Sequence, residues 1–376
     1  MASIFEDLLQ SCLEQERWSP TLLDEVRRST ESLEGSRSFF TTVVERLSDS
    51  FEPRLSIVYA RLFSELIGQP ELTRRYERIR QPRVCKQDPA KVFVLSRVTL
   101  GADVAVTSVM LAAAKLRFPH AEIYYTGSRK GWELFAADSR ILHKDASYGR
   151  SGLLNDRLAA KPDLHESGTI VIDPDSRLTQ LGLLPVCDDE DYYFFDSRAY
   201  GGESTRTLTD LATQWCEETF ETSAQPFIAP GPSQLSPAQV TVSLGVGENP
   251  LKRLSDPFER DLLHRLPENT LVDQGGSDEE ATRVLNSIKP GQRTFKGPFA
   301  RFAAAIQESK FYVGYDSAGG HVASVCGVPQ ICIFAGAVSD RMFHRWKPSG
   351  TVIRTAGLNN SQMLERIDAT LHPIHQ

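Results

Sequence analysis

The chain has 376 residues, 40% of them hydrophobic and 24% charged, with a formal net charge of −7. That length suits two domains with an added module, and the composition is that of an ordinary globular protein. The acidic balance argues against a general nucleic-acid binder, which needs a broad basic surface. The six cysteines (12, 85, 187, 216, 326, 332) form no CxxC pair, which speaks against a zinc site and for a reducing compartment. No apolar run approaches the ~20 residues that span a bilayer. The start, MASIFEDLLQ, lacks the basic n-region of a signal peptide, so a cytoplasmic protein is expected.

Residues 1–86 read as all-helical. Ile4, Leu8, Leu9 and Cys12 recur at helical spacing, as do Phe39, Phe40, Val43, Val44 and Leu47. Leu55 to Ile67 is a further amphipathic helix, ended by Gly68 and Pro70. The segment holds no catalytic constellation. It reads as an added module for oligomerisation or a partner, or as helices packed on the next domain. Arg74, Arg75, Arg78, Arg80, Arg83, Lys86 and Lys91 make the connector basic. A solvated helix face is the first reading, and attraction to an anionic acceptor or to the inner face of a membrane is the second.

Residues 87–228 alternate short strands and helices, the pattern of a parallel α/β sheet. A strand near Lys91 leads into Val98-Thr99-Leu100-Gly101-Ala102-Asp103 and a helix that Pro119 stops. By itself Asp103 reads as a helix N-cap. Asp173-Pro174-Asp175 spells a DxD, yet two acids around a proline usually mark a solvated turn, and hard cations need several oxygen ligands. Asp188 to Asp191 reads as solvated loop.

The segment 221–239 carries four prolines and little periodicity, which marks a domain boundary. Residues 236–376 then form a second set of β/α units. Val240 to Leu244 is a strand, followed by Gly245-Val246-Gly247 and by Lys252-Arg253. Leu271 to Asp273 is a strand, followed by Gly275-Gly276 and the acids Asp278, Glu279 and Glu280, which also suit a helix N-terminus without any ligand. Phe311 to Phe334 reads as strand, tight loop (Tyr315 to Gly320), helix from His321, and strand. In open parallel sheets ligands sit at the carboxyl ends of strands beside the next helix N-terminus, where amides and the helix dipole suit a phosphate.

Phe311 to Phe334 resembles the heptosyltransferase family of GT-B glycosyltransferases, whose Asp-(Ser/Thr)-Gly-x-x-His loop precedes an Ala-rich helix and Gly-x-Pro. Asp316, Ser317, His321, Ala323, Gly327 and Pro329 stand at those spacings, with Ala318 where the family has Gly. Leu100-Gly101-Ala102-Asp103 is similar to the family's Leu-Gly-Asp opening, with Ala102 as one extra residue. The resemblance implies a GT-B fold: two Rossmann-like domains facing a cleft, preceded here by the helical module. It implies an inverting transferase that needs no metal and no cofactor, with Asp103 as catalytic base. The donor nucleotide sugar, by analogy ADP-heptose, would lie against Gly247, Lys252, Gly276, Glu279 (or Glu280), Asp316, Ser317, Ala318, Gly319, Gly320 and His321. Arg177 would meet the acceptor, a glycan, lipid-linked glycan or protein. The same residues also allow a non-catalytic nucleotide-sugar-binding or partner-binding relative, or a sugar-nucleotide epimerase.

Overall fold

The computed structural model describes residues 3–247, 250–336 and 338–371. They fall into two compact units. One comprises Met1–Thr99, Val106–Trp132 and Ser139–Gln225; the other comprises Leu100–Ala105, Glu133–Asp138 and Pro226–Gln376.

The first unit is built on a sheet of β1 (Lys91–Leu95), β2 (Glu122–Gly127), β3 (Ile141–Asp145), β4 (Thr169–Asp173) and β5 (Tyr192–Phe194), in the order β3-β2-β1-β4-β5. Every pair is parallel. Ahead of β1 come only helices among the described residues, from Ile4–Glu14 to Glu71–Ile79. Their apolar faces do not close on themselves: Phe39, Phe40, Tyr59 and Phe63 belong to the same core as Phe93, Leu95, Val171 and Tyr192 of the sheet. Tyr59, fully buried, donates its hydroxyl to the Gln180 carbonyl at 3.1 Å, and the Tyr76 ring lies edge-on to Phe194 at 5.7 Å. Of the readings open for these helices, packing on the first sheet is the one observed.

The basic connector is in part the solvated face expected, with Arg74, Arg78, Arg83 and Lys86 exposed, and in part buried against the first unit's own acids. Arg75 is buried, donates from Nε to Asp189 at 2.7 Å and caps the Gly182 carbonyl at 3.0 Å. Arg78 pairs with the same carboxylate, and Arg80 with the buried Asp196 at 2.9 Å. Arg83 lies over the Tyr193 ring, 4.4 Å from its centroid. Asp189, in the acidic turn Asp189–Asp191 of which no residue is fully buried, is thus a counter-charge of the connector. Two opposite-charge runs a hundred residues apart each read as surface until the fold joins them, because neither alone shows its partner.

The acids of the DxD are not a solvated turn either. Asp173 ends β4 fully buried and accepts from Ser176 N (2.6 Å), Thr179 Oγ1 (2.6 Å) and the Tyr192 hydroxyl. Asp175, at φ 76°, ion-pairs with the buried Arg198 and accepts from Ser197 at 2.7 Å. A proline between two acids fixes a sharp strand exit, and the acids face inward because donors there satisfy them.

The second unit carries β6 (Val240–Ser243), β7 (Thr270–Asp273), β8 (Arg293–Phe295), β9 (Phe311–Tyr315), β10 (Gln330–Phe334) and β11 (Thr351–Arg354), in the order β11-β10-β9-β6-β7-β8, again all parallel. β9 and β10 are buried along their whole length, as continuous apolar runs in parallel sheets are. The closing helix Asn360–Leu371 packs on Asp256–Arg265 and on β11, with Arg265 paired to Asp368. Among the described residues no helix is long and apolar enough to cross a membrane, and the six cysteines are free thiols.

Candidate functional site at the carboxyl edge of the second sheet

The exits of β6, β7, β9 and β10 gather at one edge of the second sheet. After β9 the chain does not form the tight glycine loop that its sequence suggests. The helix opens at Ala318, with Ser317 as an extended N-cap, so Gly319, Gly320 and His321 all lie inside it. Neither glycine has a positive φ. They are glycines because of what presses on them. A Cβ on Gly319 would fall on the hydroxyl of the buried Tyr312, and a Cβ on Gly320 would stand 3.3 Å from Gln330 Oε1. The amides of this first turn lie beyond the reach of any intrahelical carbonyl and carry the positive end of the helix dipole.

Asp316, the residue just before that cap, receives Lys252 Nζ at 2.6 Å. The lysine comes from the turn Pro250–Lys252 after β6, so two residues that the sequence separates by 64 positions meet at one point. His321 is buried, and burial pushes its imidazole below the usual range; Asp316 pulls the other way and Lys252 adds to the fall. Its ring meets Trp346 edge-on at 5.9 Å. A neutral, packed histidine in a helix interior is an architectural residue here.

The two glycine turns, Gly247 after β6 and Gly275–Ser277 after β7, border a cavity of about 500 Å³ together with Val246, Arg253, Leu254, Glu279, Glu280 and Arg283. Gly247 and Gly275 have φ of 60° and 79°, the region that glycine enters without strain. The two acids differ in what they do. Glu279 extends outward, its side chain 85% exposed, toward Arg283. Glu280 folds back: its Oε2 accepts from Gly276 N at 2.8 Å and Ser277 N at 3.1 Å, while Ser277 Oγ caps Glu280 N. Ser277-x-x-Glu280 is a capping box, legible in the sequence as that spacing, and it puts the Glu280 carboxylate rather than that of Glu279 in a fixed place.

Asp103 lies in a short segment that departs from the first sheet. Leu100–Ala105 clusters with the second unit, and the turn Leu100–Ala102 rests on the helix Ala318–Val325. A Cβ on Gly101 would lie 3.1 Å from His321 Cδ2 and 3.3 Å from Ala318 Cα, so only a bare backbone fits there without a shift. Asp103 itself is buried, 1% exposed. It opens the π-helical stretch Asp103–Thr107, which runs into the α-helix Ser108–Arg117. Arg177 sits half-buried in the first unit, in the turn Arg177–Thr179; burial pushes the Glu45 carboxyl up, and the Arg177 charge offsets only part of that rise. Among the described residues no group of three or more His, Cys, Asp and Glu side chains is placed to hold a metal ion.

No protein-family model matches the chain, and no curated protein sequence does. Its structure is similar to solved ones. A glycosyl transferase of family 9 from Veillonella parvula superposes with a TM-score of 0.55 at 17% identity, over 77% of this chain and 100% of that one. The heptosyltransferase WaaC of E. coli with ADP-2-deoxy-2-fluoro heptose gives 0.52 at 12% identity, over 74% and 99%. The ADP-heptose lps heptosyltransferase II of E. coli gives 0.52 at 15% identity, over 76% and 100%. The fold is GT-B. About a quarter of this chain lies outside the superposed part, whereas the three relatives are covered almost entirely.

The π-helical stretch Asp103–Thr107 holds one residue more per turn than an α-helix does, a local widening that spacing in the sequence does not show. Glu259, Tyr315 and Arg283 also escape sequence reading, since a buried acid in a helix and a tyrosine at a strand end carry no motif.

Proposed function

We propose that the chain is a glycosyltransferase that moves a sugar, with inversion, from a nucleotide diphosphate sugar to an acceptor hydroxyl. The observation that carries this reading is the packing of Leu100–Ala102 on the helix after Asp316. It brings the segment of Asp103 onto the helix whose N-terminus is the natural seat of a diphosphate.

In this reading the nucleoside occupies the cavity between the two glycine turns, with the fixed Glu280 carboxylate facing the ribose hydroxyls and Glu279 at its rim. Gly247 and Gly276 let the backbone approach the ligand. Ser317 through His321 present the helix opening to the diphosphate, and Lys252 leaves Asp316 to meet it as a compact positive charge. The Asp103 carboxylate takes the proton of the acceptor hydroxyl as its oxygen bonds to the anomeric carbon. The bond from that carbon to the diphosphate breaks through an oxocarbenium-like state, and the nucleoside diphosphate leaves with the bonding electrons. The growing negative charge falls on Lys252 and the helix amides, so the step needs no metal ion. The acceptor is a glycan, lipid-linked glycan or protein, with Arg177 as a candidate contact if the acceptor is anionic. The similar WaaC structures with ADP-2-deoxy-2-fluoro heptose and with ADP make ADP-heptose the first donor to test.

The experiment is a thermal-shift screen with ADP, GDP, UDP and their sugars, followed by donor-hydrolysis and transfer assays on wild type and Asp103→Asn. The expected result is stabilisation by one nucleotide, turnover of its sugar, and a loss of about 10²- to 10⁴-fold in Asp103→Asn with binding intact. Binding without turnover in the wild type would make the chain a nucleotide-sugar-binding protein instead.

A further inference from the structure

The turn that carries Lys252 is held from three sides by groups that touch no proposed ligand. Leu254 N donates to the Tyr315 hydroxyl at 3.1 Å, and that hydroxyl donates to Glu259 Oε1 at 3.0 Å. Glu259, 3% exposed, also accepts from Arg253 Nη2 at 2.8 Å. Gly336, at φ 83° after β10, brings its backbone so close that a Cβ there would stand 2.7 Å from the Leu251 carbonyl oxygen. The consecutive residues Lys252, Arg253 and Leu254 are therefore each held by a hydrogen bond or ion pair, and two of these come from the adjacent strand-end residues Tyr315 and Asp316. Arg253 and Leu254 are also wall residues of the nucleotide-sized cavity.

Such an arrangement has a specific consequence. The Lys252–Asp316 contact must be given up when an anion takes the lysine. If that contact alone fixed the turn, ligand binding would loosen it and the ordering of a long side chain would be charged against affinity. The Tyr315–Glu259–Arg253 network is independent of Asp316's charge, and it keeps the turn in place after the lysine swings over.

We propose that Tyr315 and Glu259 are positioning residues that hold the lysine turn in its binding geometry, so that affinity for the diphosphate depends on them more than affinity for the nucleoside does. This rests on the donor reading given above. The test is calorimetric titration of the full chain and of Tyr315→Phe and Glu259→Gln with ADP and with adenosine. Both variants are expected to bind ADP about tenfold more weakly, the scale of one lost hydrogen bond in a buried network, and adenosine by a clearly smaller factor. Equal weakening toward both ligands would mark a merely structural role and overturn the proposal, as would unchanged ADP affinity in either variant. Tyr315→Phe keeps the ring and its packing, and if one variant does not fold the other carries the comparison. A wild type that binds none of ADP, GDP and UDP overturns the donor reading, and this proposal with it. A wild type that binds ADP no better than its variants overturns this proposal alone.

Discussion

Lys252 and Asp316 form an ion pair across 2.6 Å, with their side chains only 25% and 10% exposed. Two half-desolvated charges in such contact each lower the cost of burying the other, and any diphosphate must compete with the carboxylate for the lysine. The two partners therefore have opposite effects on nucleotide binding. Lys252→Ala is expected to weaken ADP by about 10- to 100-fold, the worth of a charge-assisted contact. Asp316→Asn removes the competing anion and is expected to tighten ADP by about 3- to 10-fold. Titration calorimetry at fixed ionic strength reads both, and a loss of affinity in Asp316→Asn would refute the competition.

Gly319 is a steric requirement, not a conformational one. Its φ is not positive, and the Tyr312 hydroxyl occupies the space of its missing side chain. Gly319→Ala is expected to cost about 1–3 kcal/mol, as overpacking of a tight interior does. Adding Tyr312→Phe removes the nearest atom but leaves the ring, so the double variant should lose less than the two singles together. Urea denaturation of the four proteins measures the coupling. Strict additivity would mean that the helix moves aside instead.

Much of this is open to inspection in the chain itself, and the reason is local. Short apolar runs such as Phe311–Tyr315 and Ile331–Phe334, bounded by turn residues, read as buried parallel strands, and the residues at their ends fall at one sheet edge by topology. Asp316, Lys252, Gly247 and Gly276 are legible that way. What escapes is what depends on distant partners. Two glycines in a row suggest a loop, although here both lie in a helix, Gly319 against Tyr312 and Gly320 beside Gln330. Charged runs at 74–83 and 188–191 suggest solvent, and most of their residues do face it, yet Asp189 is the counter-charge of the buried Arg75. Spacing tells which face a residue is on, and nothing in it tells what stands opposite.

The pairing of those runs makes its own forecast. Asp189 accepts from the buried Arg75 and from Arg78, so Asp189→Ala leaves a guanidinium with little water and one anion fewer. Full burial would put the loss near 3–5 kcal/mol; with the Asp189 side chain 25% exposed, about 1–3 kcal/mol is expected. The fall should appear in the unfolding midpoint while ADP affinity stays as in the wild type. A change in binding with no change in midpoint would contradict the structural assignment.

Asp173 should write itself into the pH dependence of stability. Burial pushes its carboxyl up to about 6, against the pull of Thr179, Tyr192 and the Ser176 amide, while in the unfolded chain it titrates near an ordinary ~4. A carboxyl raised on folding binds its proton more tightly in the native state. Its contribution is then fully present below about pH 4 and is lost as the pH rises through 6. A rise from about 4 to about 6 is worth roughly 3 kcal/mol at most, an order-of-magnitude ceiling. Asp173→Asn cannot ionise, so it lacks this slope, although its amide serves the three donors less well and lowers stability by an amount that pH does not change. The stability difference, wild type minus Asp173→Asn, is therefore expected to shrink between pH 4 and 6 and to stay level above that. Urea unfolding of both proteins from pH 4 to 8 measures it, and a gap that widens with pH would mean that the three donors outweigh burial and hold the Asp173 carboxylate charged in the native state.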